Sequence, residues 1–377
     1  MLNQEFLVHG FHLEDKVVKV CSPTESINFN FSYSYPVYKS AIATVYGWVG
    51  YNEAKELLTV LVDPDFISVN YLSLQGHYYG KGELGSVITL QKLQENGEFF
   101  KCGVTNKIGH FCLPSTIQDT QLADDPIPKT DITINVLFGY SAEFLVLYLN
   151  TAQLTLDNNE LCLISAGIFS NNSHLYNVKV VNVYTTEVTN LQLGNICMNY
   201  PLDVIAEVQA CVDGYFQQLN YYKRYYQANV VVLESVICDI SSYIGYPYKT
   251  GFDFPAEAAL FLGRGNATTK LMYQAFPTIL IHEIGHILGC SHPLKPNDLP
   301  NFSLCPGYGH EILNPNNDNI VDCGTLMSEI KEPIFYFSNA NLYEYPSPYQ
   351  NRSCGIEDLS EAYKMVDNNL PKLAASV

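Results

Sequence analysis

Three histidines and a glutamate at fixed intervals stand out: His282-Glu283-Ile284-Gly285-His286-Ile287-Leu288-Gly289-Cys290-Ser291-His292. A spacing of four puts the imidazoles of His282 and His286 on one face of an α-helix, one turn apart. Gly289 lets the backbone take a positive φ and end the helix. The chain can then turn back, and His292 supplies a third nitrogen. Three imidazoles leave one tetrahedral position of a zinc ion open, which separates a catalytic site from a closed structural one. Glu283 reaches water at that position without binding the metal, the place of a general base. His-Glu-x-x-His alone also fits an amphipathic helix with two surface histidines. The added glycine and third histidine, at their offsets, count against that.

Further on, Cys323-Gly324-Thr325-Leu326-Met327-Ser328 reads as a tight Met-containing turn. The extended histidine motif followed by such a turn resembles the metzincin zinc peptidases. The resemblance covers about residues 131 to 375. It implies a metalloendopeptidase acting on proteins or peptides. It also implies an α/β catalytic domain with a mostly parallel twisted sheet, an active-site helix and a small C-terminal subdomain. His282, His286 and His292 would hold Zn2+, Glu283 would be the base, and Met327 would lie under the ligands. Two positions depart from the pattern. Pro293 follows the third histidine, as in serralysins, where adamalysins carry Asp. No Tyr stands two residues after Met327, so the fifth ligand of serralysins and astacins has no counterpart there.

Lys101-Cys102-Gly103-Val104-Thr105 resembles the cysteine-switch peptide of adamalysin-type (reprolysin, ADAM-like) propeptides. A thiolate is a strong zinc ligand. Cys102 in the fourth position would leave no water to activate, making the chain a latent zymogen inhibited by its own propeptide. The competing reading is a disulfide, most directly with Cys112. No dibasic site stands between Cys102 and Asp131, which points away from furin-type activation. Residues 1–125 are thus expected to form a mainly β propeptide domain, and 126–377 the catalytic domain.

The elements that must position these groups follow from periodicity. Short β-branched and aromatic runs mark strands at Val17–Val20, Ser40–Trp48, Leu57–Val62, Ser68–Leu72 and Ser86–Gln91. Turns at Gln75-Gly76-His77 and Gly80-Lys81-Gly82 separate them, giving a small sandwich or barrel. Residues 113 to 130, with Pro114, Pro126 and Pro128, read as a linker. Then strand and helix alternate. A strand at Ile132–Phe138 precedes a helix at Ala142–Ser165. A strand at Val178–Val183 precedes a helix at Leu202–Tyr226, and Asn229–Leu233 is a buried strand. Ala258–Gly263 is expected as the edge strand beside the cleft, to which an extended substrate could add. Pro277–Leu288 is the expected metal-bearing helix, a loop region runs on to Met327, and Ile356–Leu370 closes the fold.

At 377 residues and 47% hydrophobic content, about two domains with real cores are expected. The net charge of −18 argues against nucleic acid and anionic membranes as partners. No stretch resembles a membrane span, and a monomer is expected. Eleven cysteines would allow five bridges once one thiol is reserved for the switch. Together with N-x-S/T sequons at Asn30, Asn171, Asn266, Asn301 and Asn351, they suggest a secreted protein whose leader is removed or lies outside this numbering. A cytosolic protein with free thiols is the alternative. His77, His110, His174 and His310 read as ordinary surface or core histidines. Asp124, Asp125, Asp318 and Asp322 read as loop charges rather than a calcium site. A non-catalytic metzincin-like module for binding or adhesion is the second functional class, and the presence of Glu283 favours the enzyme.

Overall fold

The computed structural model describes residues 5–40, 43–73, 75–93, 100–102, 128–146, 148, 150–188, 218–236, 243–247, 259–264, 276–293, 307–314, 317–328, 334–341, 353–356 and 360–376. The first eight strands are β1 (Phe6–Val8), β2 (Val17–Cys21), β3 (Ser26–Lys39), β4 (Thr44–Tyr51), β5 (Leu57–Asp63), β6 (Phe66–Ser73), β7 (Gly76–Gly82) and β8 (Ile88–Lys92). Each pairs antiparallel with the next, and β1 pairs with β8, so the sheet closes into a barrel. Closure leaves no edge strand to template aggregation. Period-2 alternation divides the strands between two cores. In β5, Leu58 and Val60 point into the barrel with Phe29, Ile67 and Leu90. Leu57 and Leu61 point outward and are equally buried.

The chain continues through β9 (Phe100–Cys102), β10 (Thr130–Tyr140), α1 (Ala142–Leu145), α2 (Thr151–Asn172) and β11 (Tyr176–Glu187). The described part of α3 is residues 218–226. β12 (Val230–Val236), β13 (Tyr243–Pro247), β14 (Ala259–Arg264) and α4 (Phe276–Ile287) follow, then the hairpin β15 (Glu311–Asn314) and β16 (Asn317–Gly324), and α5 (Ala362–Ala375). One six-stranded sheet has the order β11-β10-β12-β14-β13-β9. Its four strands β11, β10, β12 and β14 run parallel, whereas β13 is antiparallel to β14. The mainly β first part and the mostly parallel sheet of the sequence reading are both present. Among the described residues, no helix is long and apolar enough to cross a membrane.

Helix α2 explains how the two parts meet. Sixteen of its 22 residues are buried, so it has no solvent face of the ordinary amphipathic kind. One side lies on the sheet and another on the outer wall of the barrel. The polar turn Asp157-Asn158-Asn159-Glu160 is buried throughout. Asn158 Nδ2 donates to Glu234 of β12 at 3.1 Å, and Asn182 of β11 donates to Asn159 Oδ1 at 2.9 Å. Glu160 lies toward Ser68, Tyr79 and Lys81 of the barrel.

Burial pushes the Glu160 carboxyl up to about 7, against the pull of Ser68, Lys81 and Tyr79 toward the charged form. Burial likewise pushes Glu234 up to about 8, with Asn158 opposing and the Asp157 charge adding to the rise. A raised carboxyl binds its proton more tightly in the folded chain. Its stabilising contribution is therefore full below about 4.5, the ordinary value, and is lost as pH rises to about 7 for Glu160 and about 8 for Glu234. Glu160→Gln with Glu234→Gln is expected to remove that loss. In denaturant titrations the variant should gain on the parent between pH 5 and pH 8; parallel pH curves would sink the assignment.

Several elements differ from the sequence reading. Gly80-Lys81-Gly82 lies within β7, not in a turn; Gly80 serves close packing there, since a side chain at that position would come within 2.5 Å of the Thr89 carbonyl on β8. β1, β3 and β7 are further strands. The helix expected over Ala142–Ser165 is two helices, since Asn150 accepts from Gln153 N at 2.9 Å and starts α2 afresh. Of Leu202–Tyr226, only residues 218–226 are described, and they are helical. Ala258–Gly263 is not the edge: β14 is an inner strand, flanked by β12 and β13. The region before Met327 contains the β15–β16 hairpin, and α5 starts at Ala362. Cys21 and Cys162 carry free thiols, as does Cys290. Three free thiols among eleven cysteines exclude five bridges. Cys162 and Cys290 sit in the packed core, both as free thiols.

Candidate metal centre

Helix α4 is apolar nearly all round, and Ile279, Leu280, Ile281, Ile284 and Ile287 are each at most 2% exposed. It is therefore held on all sides, and its few polar groups are fixed by their surroundings. Gly289 has φ of +91°. Gly289 N donates to His286 O at 3.0 Å, and Cys290 N donates to Gly285 O at 2.9 Å. These two bonds form a Schellman stop, for which a glycine is suited. Asn369 of α5 donates to the Leu288 carbonyl at 2.8 Å, capping the same end. Ser291 then pairs with the segment at Gly307–Gly309, through Ser291 N to Gly307 O and Gly309 N to Ser291 O, both at 2.8 Å. This returns His292 to the helix.

The three Nε2 atoms converge. His286 lies 3.0 Å from His282 and 3.2 Å from His292, and His282 and His292 are 3.1 Å apart. His282 Nδ1 donates to the Leu326 carbonyl at 2.7 Å, and His286 Nδ1 donates to the Cys290 carbonyl at 2.9 Å. A carbonyl only accepts, so in these neutral rings the proton is on Nδ1 and the lone pair on Nε2. Adjacent lone pairs at such separations repel unless a cation lies among them. Ligand atoms about 2.0–2.1 Å from a tetrahedral zinc lie about 3.3 Å from one another, so the donor set fits that ion. Burial holds His282 well below its ordinary range, with His286 and His292 adding to the effect and the Leu326 carbonyl opposing it. Burial lowers His286 to about 4, with the Cys290 carbonyl opposing. Neutral imidazoles are the form that binds a metal. Among the described residues, this triad is the one group of three or more such side chains.

Met327 lies under the triad. It is fully buried, and a side chain at Gly285, between the first two histidines, would come within 2.6 Å of its sulfur. Ser328 N donates to Thr325 O at 2.8 Å, closing the turn that presents Leu326 O to His282. Glu283 is fully buried, next in the chain to His282. His77 is hydrogen-bonded to Asn70 at 2.9 Å, and among the described residues it belongs to no group of three possible metal ligands. His110 lies outside the described residues. Asn369, Asn172 and the Leu326 carbonyl were not legible as site parts. Asn172 ties the end of α2 to Phe335 O and Phe337 N, behind the Met327 turn.

The backbone of Cys102 ends β9, which pairs parallel with β13 and is outermost in the sheet among the described strands. Cys102 is in register with Gly245. The Cys102 side chain, Gly103 and the rest of the expected switch peptide lie outside the described residues.

No protein-family model matches the chain. Among solved structures, the chain is similar to the crystal structure of metalloproteinase-II from Bacteroides fragilis, at 10% sequence identity and a TM-score of 0.40. That alignment covers 79% of this chain and 84% of the other. So distant a likeness decides nothing about the metal centre, whose chemistry follows from its own atoms.

Proposed function

We propose that this protein is a zinc-dependent endopeptidase of the metzincin type, adamalysin- or reprolysin-like, held latent by the segment that carries Cys102. The observation that carries the reading is the convergence of His282, His286 and His292 within 3.0–3.2 Å, with Glu283 buried beside them. When bound, zinc supplies a Lewis acid for a peptide carbonyl and acidifies water. The chain's own groups do the rest. Glu283 accepts a proton from the attacking water and delivers it to the leaving amine. The carbonyls of Leu326 and Cys290 hold the two helix imidazoles in the ligating tautomer. Met327 and Gly285 set the floor on which those rings rest.

Latency is supported by topology. β9 covers the outer side of β13, the position at which an extended peptide would add to the sheet. Displacing this segment would free that side of β13. Residues 1–125 and 126–377 are read as the inhibitory and catalytic parts, and the sequons as signs of a secreted protein. Metal content by mass spectrometry, paired with cleavage of a generic protein substrate before and after limited proteolysis at residues 103–131, tests the reading. One zinc per chain, silent when intact and active when nicked, is the expected result. One zinc without cleavage in either state would replace it with the binding-module reading.

A further inference from the structure

The outer wall of the barrel and helix α2 form one continuous core. Tyr35, Val37, Val49, Leu57 and Leu61 of the barrel belong to the same packed cluster as α2, β10, β11 and α4. The barrel's interior is a second, separate cluster. The contact is fitted from both sides. A side chain at Gly47 of β4 would come within 2.4 Å of Leu163 on α2, and one at Gly167 of α2 within 2.6 Å of Leu57 on β5. Each surface thus carries a glycine where the other carries a leucine.

Tyrosine hydroxyls complete the junction. Tyr33 Oη lies 2.7 Å from Ser170 Oγ and donates to Val178 O at 2.9 Å. Tyr35 Oη donates to Val180 O at 2.9 Å, and Tyr51 Oη to Gly167 O at 2.7 Å. Asn171 Nδ2 donates in the opposite direction, to Lys55 O at 3.0 Å. A cover that leaves on activation would expose an α2 buried on every side and orphan these acceptors.

We propose that the barrel is a permanent subunit: once the chain is cut between β9 and β10, the barrel stays docked on α2 and β11, and the metal-bearing part works as a two-chain complex. The inference rests on the proposed peptidase reading only in taking the metal-bearing part as the working one.

The test is physical association, read without any activity assay. A sequence-specific protease site is inserted between Asp124 and Asp125 of the full chain and cut after folding. Size exclusion and native mass spectrometry of the cut protein in plain buffer should show one species containing both fragments. Its thermal midpoint should fall on dilution, as mass action requires for a two-chain complex. Gly47→Leu should make the cut protein separate. Should that variant fail to fold, Tyr33→Phe with Tyr51→Phe keeps the rings and removes both hydroxyls with their bonds to Ser170, Val178 and Gly167; its cut complex should separate at least tenfold more readily on dilution. Release of the barrel from the cut parent protein, with the remainder soluble or precipitated, overturns the inference. A cut complex that stays together, binds zinc and cleaves nothing leaves it standing while sinking the peptidase reading.

Discussion

Glu283→Gln is expected to lower turnover of a protein substrate by the nicked, zinc-loaded chain by about 10²–10⁴-fold, the usual worth of a positioned general acid–base. The residue is fully buried on a helix packed on all sides, so the replacement has to be nearly isosteric to isolate chemistry from packing. Glutamine keeps the volume and removes the proton acceptor. None of the three nitrogens in the candidate ligand set belongs to it. Zinc content and thermal midpoint should therefore stay close to those of the parent. Turnover within a few-fold of the parent would remove Glu283 from the mechanism. Loss of zinc along with activity would instead show that Glu283 holds the ligand helix in place.

Metal removal should have the second large effect, and on stability. A ligand that binds only the folded chain stabilises it by about 4 kcal/mol at a free concentration 1,000 times its dissociation constant. A chelator should therefore lower the midpoint by several degrees, and added zinc should restore it. His292→Ala should abolish the response, with zinc affinity reduced by more than the 10–100-fold that loss of an outer-shell partner costs. The pH dependence has a definite sign. His282 and His286 are held neutral by burial, so the unfolded chain takes up protons first as pH falls. Stability from His286 is complete above about 6.5 and is lost between there and about 4, and the contribution of His282, also held low by burial, is lost in the same direction. Zinc should steepen the loss, because protons and metal compete for the same nitrogens. A chelator-insensitive midpoint in the parent would mean that the triad holds no metal.

The convergence of the three histidines was legible because it depends on local geometry. His282, Glu283, Gly285, His286 and Gly289 lie within one short helix and its stop, where spacing translates directly into position. The Met327 turn was legible by its residues. The resemblance implied a place for Met327 beneath the histidines, but not its contact with Gly285 or the Leu326 bond to His282, which span more than forty residues; the latter pair is 44 apart. The edge of the sheet was misread for a similar reason. The apolar run Ala259–Arg264 looks the same whether it lies at an edge or inside, and only its pairing with both β12 and β13 places it. The closed barrel was within the expected class, yet β3 and β7 were passed over. Asn, Ser and Gly between their aromatics weaken a strand signal that cross-strand partners then override.

By itself, then, the sequence determined the chemistry of the candidate site: three nitrogens, one carboxylate, and a glycine to turn the chain between them. It also determined the alternation of strand and helix, through side-chain periodicity. The tertiary structure alone decided which strand lies outermost, which carbonyls orient the imidazoles, and that α2 is enclosed by the barrel as well as by the sheet. The physical reason is distance along the chain. Tyr33 and Tyr35 bond to Val178 and Val180 across 145 residues. No local pattern encodes such a contact, which exists only once both surfaces have formed and are packed together.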